Sequence, residues 1–183
     1  MTETETVPHA GKTRVLILTG DPIGIKMAGP AIRAWNIALA LSAEHDVLLV
    51  TTTHLERIPA PFKLRLVRPR EQVKFGELEQ WADVVLFQGH AMASFPALQA
   101  STKVIVADIY DPMHLEQLEQ GEELPRGTWE LNVQTATRVL NQQLAIGDFF
   151  LCASERQRPF YLGQLAALGR INPANYEHDR HLE

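Results

Sequence analysis

Five short runs of apolar residues recur along the chain and predict its strands. They read RVLILT (14–19), DVLLVTT (46–52), DVVLFQG (83–89), KVIVADI (103–109) and DFFLCAS (148–154). Their apolar residues do not alternate with polar ones, which is typical of strands covered on both faces. A sixth run, KLRLVR (63–68), alternates charged and apolar residues, so we expect an edge strand with one face in water.

Segments with helical spacing separate these runs. Ile32, Trp35 and Leu39 recur at the interval of one helix face, and a longer helix is predicted from Thr128 to Ile146. Strands that alternate with helices predict an α/β fold, in which a Rossmann-like parallel sheet is flanked by helices on both faces.

Length and charge narrow the class of protein. The chain has 183 residues, of which 45% are hydrophobic, so it can bury one substantial core. A net charge of -5 argues against nucleic acid as a partner, because that affinity depends on clustered lysines and arginines. We predict a disordered tail over residues 1–13 and a single domain over 14–170.

The cysteines and histidines of the sequence indicate the cellular compartment and the absence of a metal site. Cys152 is the single cysteine, so it forms no internal disulfide, and no Cys/His cluster has zinc spacing. A secretory signal is not recognisable in the polar N-terminal residues. We therefore expect a cytoplasmic protein without a metal site.

The loop after the first strand, GDPIGIKMAGP (20–30), is rich in glycine and proline. Loops at the carboxyl ends of parallel strands bind ligands, and helix N-termini attract anions. The loop lacks the Lys-Ser/Thr of a P-loop and a tight G-x-G-x-x-G, and no acidic residue follows the second strand to bind a ribose. A nucleotide-sugar site remains. The alternative is that the glycines only shape a long turn.

Three segments together resemble a known family. GIKMAGPAIRAWNIALALS, VADIYDP (106–112) and FLCASERQRPFYLGQLAALGRINPANY (150–176) are similar to the N-terminal domain of family 4 glycosyltransferases of the GT-B fold. The resemblance implies one half of a two-domain enzyme, with most of the acceptor site in this half. It also implies a C-terminal domain that binds the nucleotide sugar, and residues 171–183 would then begin the linker to it.

The resemblance assigns a role to the glycine-rich loop. Ala28, Gly29 and Pro30 would approach the donor diphosphate or an acceptor phosphate, with Lys26 and Arg33 as nearby cations. For Arg33, a solvated helix position is an equal alternative. The family further implies a nucleotide-sugar donor, a hydroxyl acceptor, retention of anomeric configuration and no cofactor or obligatory metal.

The segment DIYDP supplies the candidate catalytic residues. Asp108 and Asp111 follow a strand, with Tyr110 between them, where a base or an anchor for the acceptor hydroxyl would act. Many relatives carry a histidine here, whereas this chain has Tyr110 and Asp111 at that point and His114 a turn later, so the histidine's role is not assigned to any single residue. The alternative is that Asp111 and Pro112 only start a turn and cap the helix that begins at Met113.

Three further residues have weaker roles. His90 follows the third long strand and is a candidate acceptor contact, although a turn residue is the alternative. Ser154 is predicted to cap a helix that runs to Leu168. Cys152 is predicted to be a small buried hydrophobe inside its strand.

A basic cluster lies between the second and third long strands. Two interpretations are open: peripheral contact with anionic lipids on the inner membrane face, and protection of an edge strand by charged side chains. The cluster comprises Arg57, Lys63, Arg65, Arg68, Arg70 and Lys74.

The sequence therefore predicts the acceptor-side domain of a retaining glycosyltransferase. Alone, it is expected to show little or no transfer, because roughly half of the cleft is missing. The alternative is a standalone Rossmann-like module that binds an anion or a nucleotide sugar without catalysis.

Overall fold

Six parallel strands form one sheet, in a computed structural model that describes residues 11–182. Their order across the sheet is β3-β2-β1-β4-β5-β6. The predicted α/β fold with a Rossmann-like parallel sheet is thus confirmed, and β3 is the expected edge strand. Most of the tail predicted as disordered, 1–13, lies outside the described residues. The strands are β1 (Arg14–Thr19), β2 (Asp46–Thr51), β3 (Lys63–Leu66), β4 (Val84–Gln88), β5 (Val104–Asp108) and β6 (Phe149–Leu151).

Helices connect the strands. Between β4 and β5 the structure has two short helices, because Pro96 begins a new helix after Phe95. A last short helix lies within 171–183, the segment expected to begin a linker. The helices are α1 (Gly29–Leu41), α2 (Gln72–Trp81), α3 (Ala91–Ser94), α4 (Pro96–Gln99), α5 (Met113–Gln120), α6 (Arg126–Ile146), α7 (Arg158–Ala167) and α8 (Pro173–His178).

Helix α1 has a different buried face from the one that its large apolar residues indicated. The fully buried residues are Ala31, Ala34 and Ala38, whereas Ile32 is 46% exposed and Leu39 is 47% exposed. Since alanine has a small side chain, the helix backbone can lie close to the sheet. The helix was predicted correctly, but its inward face was not.

The last strand is shorter than the apolar run that predicted it. Strand β6 pairs with β5 over three residues and ends at Leu151, so Cys152 lies beyond the strand and is only half-buried. The Cys152 thiol donates a hydrogen bond to the Ser154 carbonyl at 3.5 Å. The interpretation of Cys152 as a buried residue inside a strand is therefore wrong.

Ser154 does not cap helix α7. The helix begins at Arg158, its N-cap residue is Gln157, and no side chain of the described residues caps it. Pro159 suits the first turn of a helix and thereby favours this later start. Ser154 instead contributes its carbonyl, which accepts a hydrogen bond from the Gln157 backbone N–H at 3.0 Å.

The chain divides into two compact units, Met1–Val85 and Leu86–Glu183. In the first unit, the Arg14 guanidinium donates two hydrogen bonds to the Asp83 carboxylate, at 3.1 and 2.7 Å. Within residues 11–182, no helix has the length and apolarity needed to cross a membrane. Fully buried apolar side chains form the cores: Leu16, Ile17, Leu18 and Leu49 in the first unit, and Phe87, Met92, Phe95 and Leu140 in the second.

Candidate functional site

The glycine-rich loop of the first unit is held by backbone hydrogen bonds. The Ile23 N–H donates to the His54 carbonyl at 3.0 Å, and the Glu56 N–H donates to the Ile23 carbonyl at 2.8 Å. The Thr51 hydroxyl donates to the Asp21 carbonyl at 2.7 Å. These bonds fix the course of the loop after β1, so its glycines do not by themselves make it a free segment.

Gly24 has a packing role. The Glu56 carboxylate accepts a hydrogen bond from the Ile25 N–H at 3.0 Å. A Cβ added at Gly24 would lie 2.6 Å from the Glu56 carboxylate oxygen and 2.9 Å from the Glu56 Cβ. Since atoms that close would clash, Gly24 is required by the approach of Glu56. The interpretation that glycine only shapes the turn therefore applies to Gly24.

Gly29 is in a different environment at the start of α1. A Cβ added there would meet no atom within 4 Å, and no side chain of the described residues caps this helix. Pro30 lies in the first turn, as predicted, and the Ala28 carbonyl accepts the first helical hydrogen bond, from Ile32, at 2.9 Å. Gly29 and Ala28 are exposed. The helix N-terminus therefore remains available to an anion.

The two cations predicted for this loop have different surroundings. Lys26 is exposed and lines a cavity of about 290 Å³ together with His54 and Glu56, so a carboxylate shares its neighbourhood. Arg33 lies in α1 and is half-buried. The pKa of the nearby Asp21 carboxyl is raised by desolvation. The loop thus carries charges of both signs.

We predict that the two glycines respond differently to alanine. Gly24→Ala is expected to lower the free energy of unfolding by about 1–3 kcal/mol, because Glu56 must move away. Gly29→Ala is expected to change it by less than about 0.5 kcal/mol, since the added Cβ meets open space. Urea unfolding of both variants measures the difference, and an equal effect would contradict the packing role of Gly24.

In the second unit, Asp108 ends strand β5 and is buried, with 3% of its surface exposed. Its carboxylate accepts a hydrogen bond from the Gln88 side-chain amide at 2.8 Å. Gln88 ends the neighbouring strand β4, and its own amide oxygen is buried without a partner among the described residues. Sequence reasoning singled out Asp108 but missed this pairing, which only the strand order reveals.

The Asp111 side chain does not cap helix α5, but the Asp111 carbonyl accepts a hydrogen bond from the Met113 N–H at 2.9 Å in the turn before the helix. The N-cap residue is Pro112, and no described side chain caps the helix. The Asp111 Oδ1 atom is buried without a hydrogen-bond partner among the described residues. The pKa of the Asp111 carboxyl is raised to about 7, first by its burial and then by a hydrogen bond and the charge of Glu116. Burial and the neighbouring Glu116 carboxylate both disfavour the ionised form of Asp111.

Helix α7 contributes side chains that sequence reasoning missed. Tyr161 is 3% exposed, and its hydroxyl is buried without a partner among the described residues. The pKa of Tyr161 is raised by its burial and by the charge of Asp111, with smaller contributions from Cys152 and Asp108. Tyr161 therefore lies within electrostatic range of both predicted catalytic carboxylates. No motif in the sequence marks it.

His114 joins the same region from α5. Its ring stacks on Phe160 with the centroids 5.7 Å apart, and Phe160 in turn meets Tyr161 edge-on at 5.2 Å. The His114 Nδ1 atom is buried without a partner among the described residues. Desolvation lowers the pKa of His114 and so favours its neutral imidazole.

His90 and Tyr110 lie at the ends of β4 and β5 but have mainly backbone roles. Gly89 has a φ of 58°, a left-handed conformation, and the His90 carbonyl then accepts a hydrogen bond from Ser94 N–H at 3.1 Å. This geometry favours the turn interpretation for the exposed His90. The Tyr110 carbonyl accepts a hydrogen bond from the Gln157 side chain at 3.0 Å, which ties the loop after β5 to the start of α7.

Several buried polar atoms of the second unit have no hydrogen-bond partner among the described residues. The acceptors are Gln88 Oε1 and Asp111 Oδ1, and α7 adds Gln164 Oε1. Buried acceptors without partners are costly unless a donor reaches them, and hydroxyl groups are suitable donors. Among the described residues, no cluster of histidine, cysteine, aspartate and glutamate is arranged to hold a metal ion.

Known proteins give no guide to the function of this chain, so the functional argument depends on the geometry of the site. No protein-family model matches the chain, and no curated protein matches its sequence.

Proposed function

We propose that the chain is the acceptor-side domain of a nucleotide-sugar-dependent glycosyltransferase. The observation that carries the proposal is the Asp111 carboxyl, which has a pKa raised to about 7 and a buried oxygen without a partner among the described residues. A group with such a pKa accepts a proton near neutral pH more effectively than an ordinary, weakly basic carboxylate. The unpartnered Oδ1 atom of Asp111 favours a hydroxyl as the group that it meets.

In this mechanism, the acceptor hydroxyl donates a hydrogen bond to Asp111 and attacks the anomeric carbon on the same face from which the diphosphate departs, so that the configuration is retained. Its proton passes to the Asp111 carboxylate, and the bond from the anomeric carbon to the nucleoside diphosphate breaks. Asp108, held by Gln88, supplies a second acceptor for the substrate. A partner domain holds the nucleotide sugar, as the family resemblance implies.

The first unit has a separate role in the proposal. The N-terminus of α1 presents backbone N–H groups, and anions bind such termini because of the free donors and the helix dipole. Ala28, Gly29 and Pro30 would face a phosphate, and Lys26 and Arg33 would add positive charge. A departing diphosphate needs such neutralisation, which fixed dipoles supply without a proton transfer.

A binding experiment on the chain separates this proposal from a binding module without catalysis. We expect ligand-observed NMR with a panel of sugars and polyols to detect saturable binding. The double variant Asp108→Ala, Asp111→Ala is expected to weaken that binding at least tenfold, because two buried acceptors are lost. Glu119→Gln, an exposed change on α5, is the control. Unchanged affinity in the double variant would favour the binding module.

A further inference from the structure

A second cavity lies in the first unit beside edge strand β3. Its volume is about 580 Å³, and its wall combines the apolar Ile58, Phe62 and Leu64 with three cations, Arg57, Arg65 and Lys74. No acidic residue lines it. The chain as a whole has 22 acidic and 17 basic residues, so three cations without an acid contrast with its average surface. This cavity shares no residue with the site proposed above.

The three cations come from three different elements. Arg65 belongs to β3 and Lys74 to α2, whereas Arg57 lies in the connection between β2 and β3. Protection of an edge strand accounts for Arg65 alone, because Arg57 and Lys74 do not lie on that strand. A common function of the cavity explains all three.

Lys74 is already held in place. Its ammonium donates to the Leu66 carbonyl at 3.0 Å and pairs with the Glu71 carboxylate at 3.3 Å. Arg57 and Arg65 are exposed, and neither guanidinium has an ion pair or a hydrogen bond with any part of the chain that the structure describes. Two guanidinium groups therefore remain available to one ligand, and guanidinium geometry suits the oxygens of a phosphate.

The apolar side of the cavity is equally well defined. Phe62 is buried, with 9% of its surface exposed, and its ring meets Trp35 of α1 edge-on at 4.9 Å. Ile58 and Leu64 are half-buried beside it. The segment that carries Arg57 is fixed just upstream, where Leu55 forms a bridge with Ile23. An apolar body of several carbons can therefore bind against a preformed wall.

We propose that this cavity binds an organic anion in which a phosphate group is joined to an apolar chain. Arg57 and Arg65 bind the phosphate oxygens, and Phe62, Ile58 and Leu64 contact the apolar chain. The ligand is either a soluble alkyl phosphate or a lipid with a phosphate headgroup, since both present the same chemistry. The site does not depend on the proposed transferase activity and goes beyond it.

Titration calorimetry of the full chain tests the site with decyl phosphate below its micelle concentration, with inorganic phosphate and with decanol. We expect saturable binding of decyl phosphate that is at least tenfold tighter than that of either other probe, because each buried methylene contributes roughly fourfold. The double variant Arg57→Gln, Arg65→Gln is expected to weaken binding at least tenfold. The matched control Arg68→Gln, Arg70→Gln removes two exposed cations that do not line the cavity and should leave binding unchanged.

Co-sedimentation with vesicles that contain phosphatidic acid identifies the source of the ligand. The site is assigned to a lipid if the vesicles capture the wild-type chain and the control double variant but not the Arg57→Gln, Arg65→Gln double variant. It is assigned to a soluble ligand if calorimetry detects binding but the vesicles do not capture the chain. Three results would overturn the proposal. The first is an equal loss of decyl phosphate affinity in the two double variants, which would indicate a diffuse basic surface. The others are inorganic phosphate that binds as tightly as decyl phosphate, and no binding of decyl phosphate at all. Thermal unfolding of each variant checks that it is folded.

Discussion

Asp111→Asn is expected to abolish most of the proposed transferase activity while it makes the folded chain more stable at alkaline pH. Asparagine keeps the size of the side chain but accepts no proton. Loss of a general base lowers kcat by about 100-fold to 10,000-fold. A purely structural role for Asp111 does not predict that a stabilised variant loses activity, so the two effects together are diagnostic.

The stability effect follows from the sign of the pKa shift. The pKa of Asp111 is raised from 3.8 to about 7 on folding, so the folded state binds the proton more tightly than the unfolded state. The stability contributed by this proton is complete below about pH 3.8 and is lost as the pH rises through 7. At pH 8 the wild-type carboxylate is ionised in a desolvated position, and Asp111→Asn removes that cost. We expect a gain on the order of 1 kcal/mol, since the group is partly solvated.

Denaturant unfolding at pH 8 and pH 5 measures this gain, which should shrink at the lower pH. The activity of the wild-type protein should rise through about pH 7 as Asp111 ionises. Glu116→Gln should shift that rise to lower pH, because Glu116 helps to raise the Asp111 pKa. Glu119→Gln on the same helix is the control and should leave the profile in place. A rise near pH 4 in the wild type would contradict the role of Asp111.

Phe87→Ala is expected to give the largest loss of stability. Phe87 lies in the interior strand β4 with 1% of its surface exposed, and alanine would leave a cavity there. Large-to-small changes of a buried phenylalanine cost about 3–5 kcal/mol, because transfer free energy and packing contacts are both lost. Such a loss is a large part of the roughly 5–15 kcal/mol that stabilises a typical domain.

Phe149→Ala provides a matched control in the edge strand β6. Phe149 is 52% exposed, so the same substitution removes less buried surface and should cost about 1 kcal/mol. Urea unfolding of the two variants gives the comparison. Similar losses of unfolding free energy in the two variants would mean that β4 is not a buried interior strand of the sheet.

The strands could be predicted from sequence because their apolar runs lack polar interruptions. Strand β1 matches its run at both ends, and β3 was identified as an edge by its alternating charges. The run 148–154 was less informative, since only Phe149–Leu151 pair with β5. Pairing depends on the neighbouring strand, which the local sequence does not specify.

The candidate site was predictable only in part. Asp108 and Asp111 were found because carboxylates after a parallel strand are a local signal. Tyr161 and Glu116 were missed, because their relation to Asp111 arises from the packing of α7 and from the turn of α5. The role of Gly24 was also missed. Gly24 is required by its contact with Glu56, and these two residues lie 32 positions apart in sequence.

The most direct measurement of the central claim is sugar transfer by the full natural protein that contains this chain. It would be incubated with a panel of nucleotide sugars and hydroxyl acceptors, and nucleoside diphosphate release and glycosylated product would be quantified together. The account predicts that one donor yields both products in equal amounts, with retention of configuration, and that Asp111→Asn lowers both at least 100-fold. Saturable binding of sugars without release of nucleoside diphosphate from any donor would contradict it.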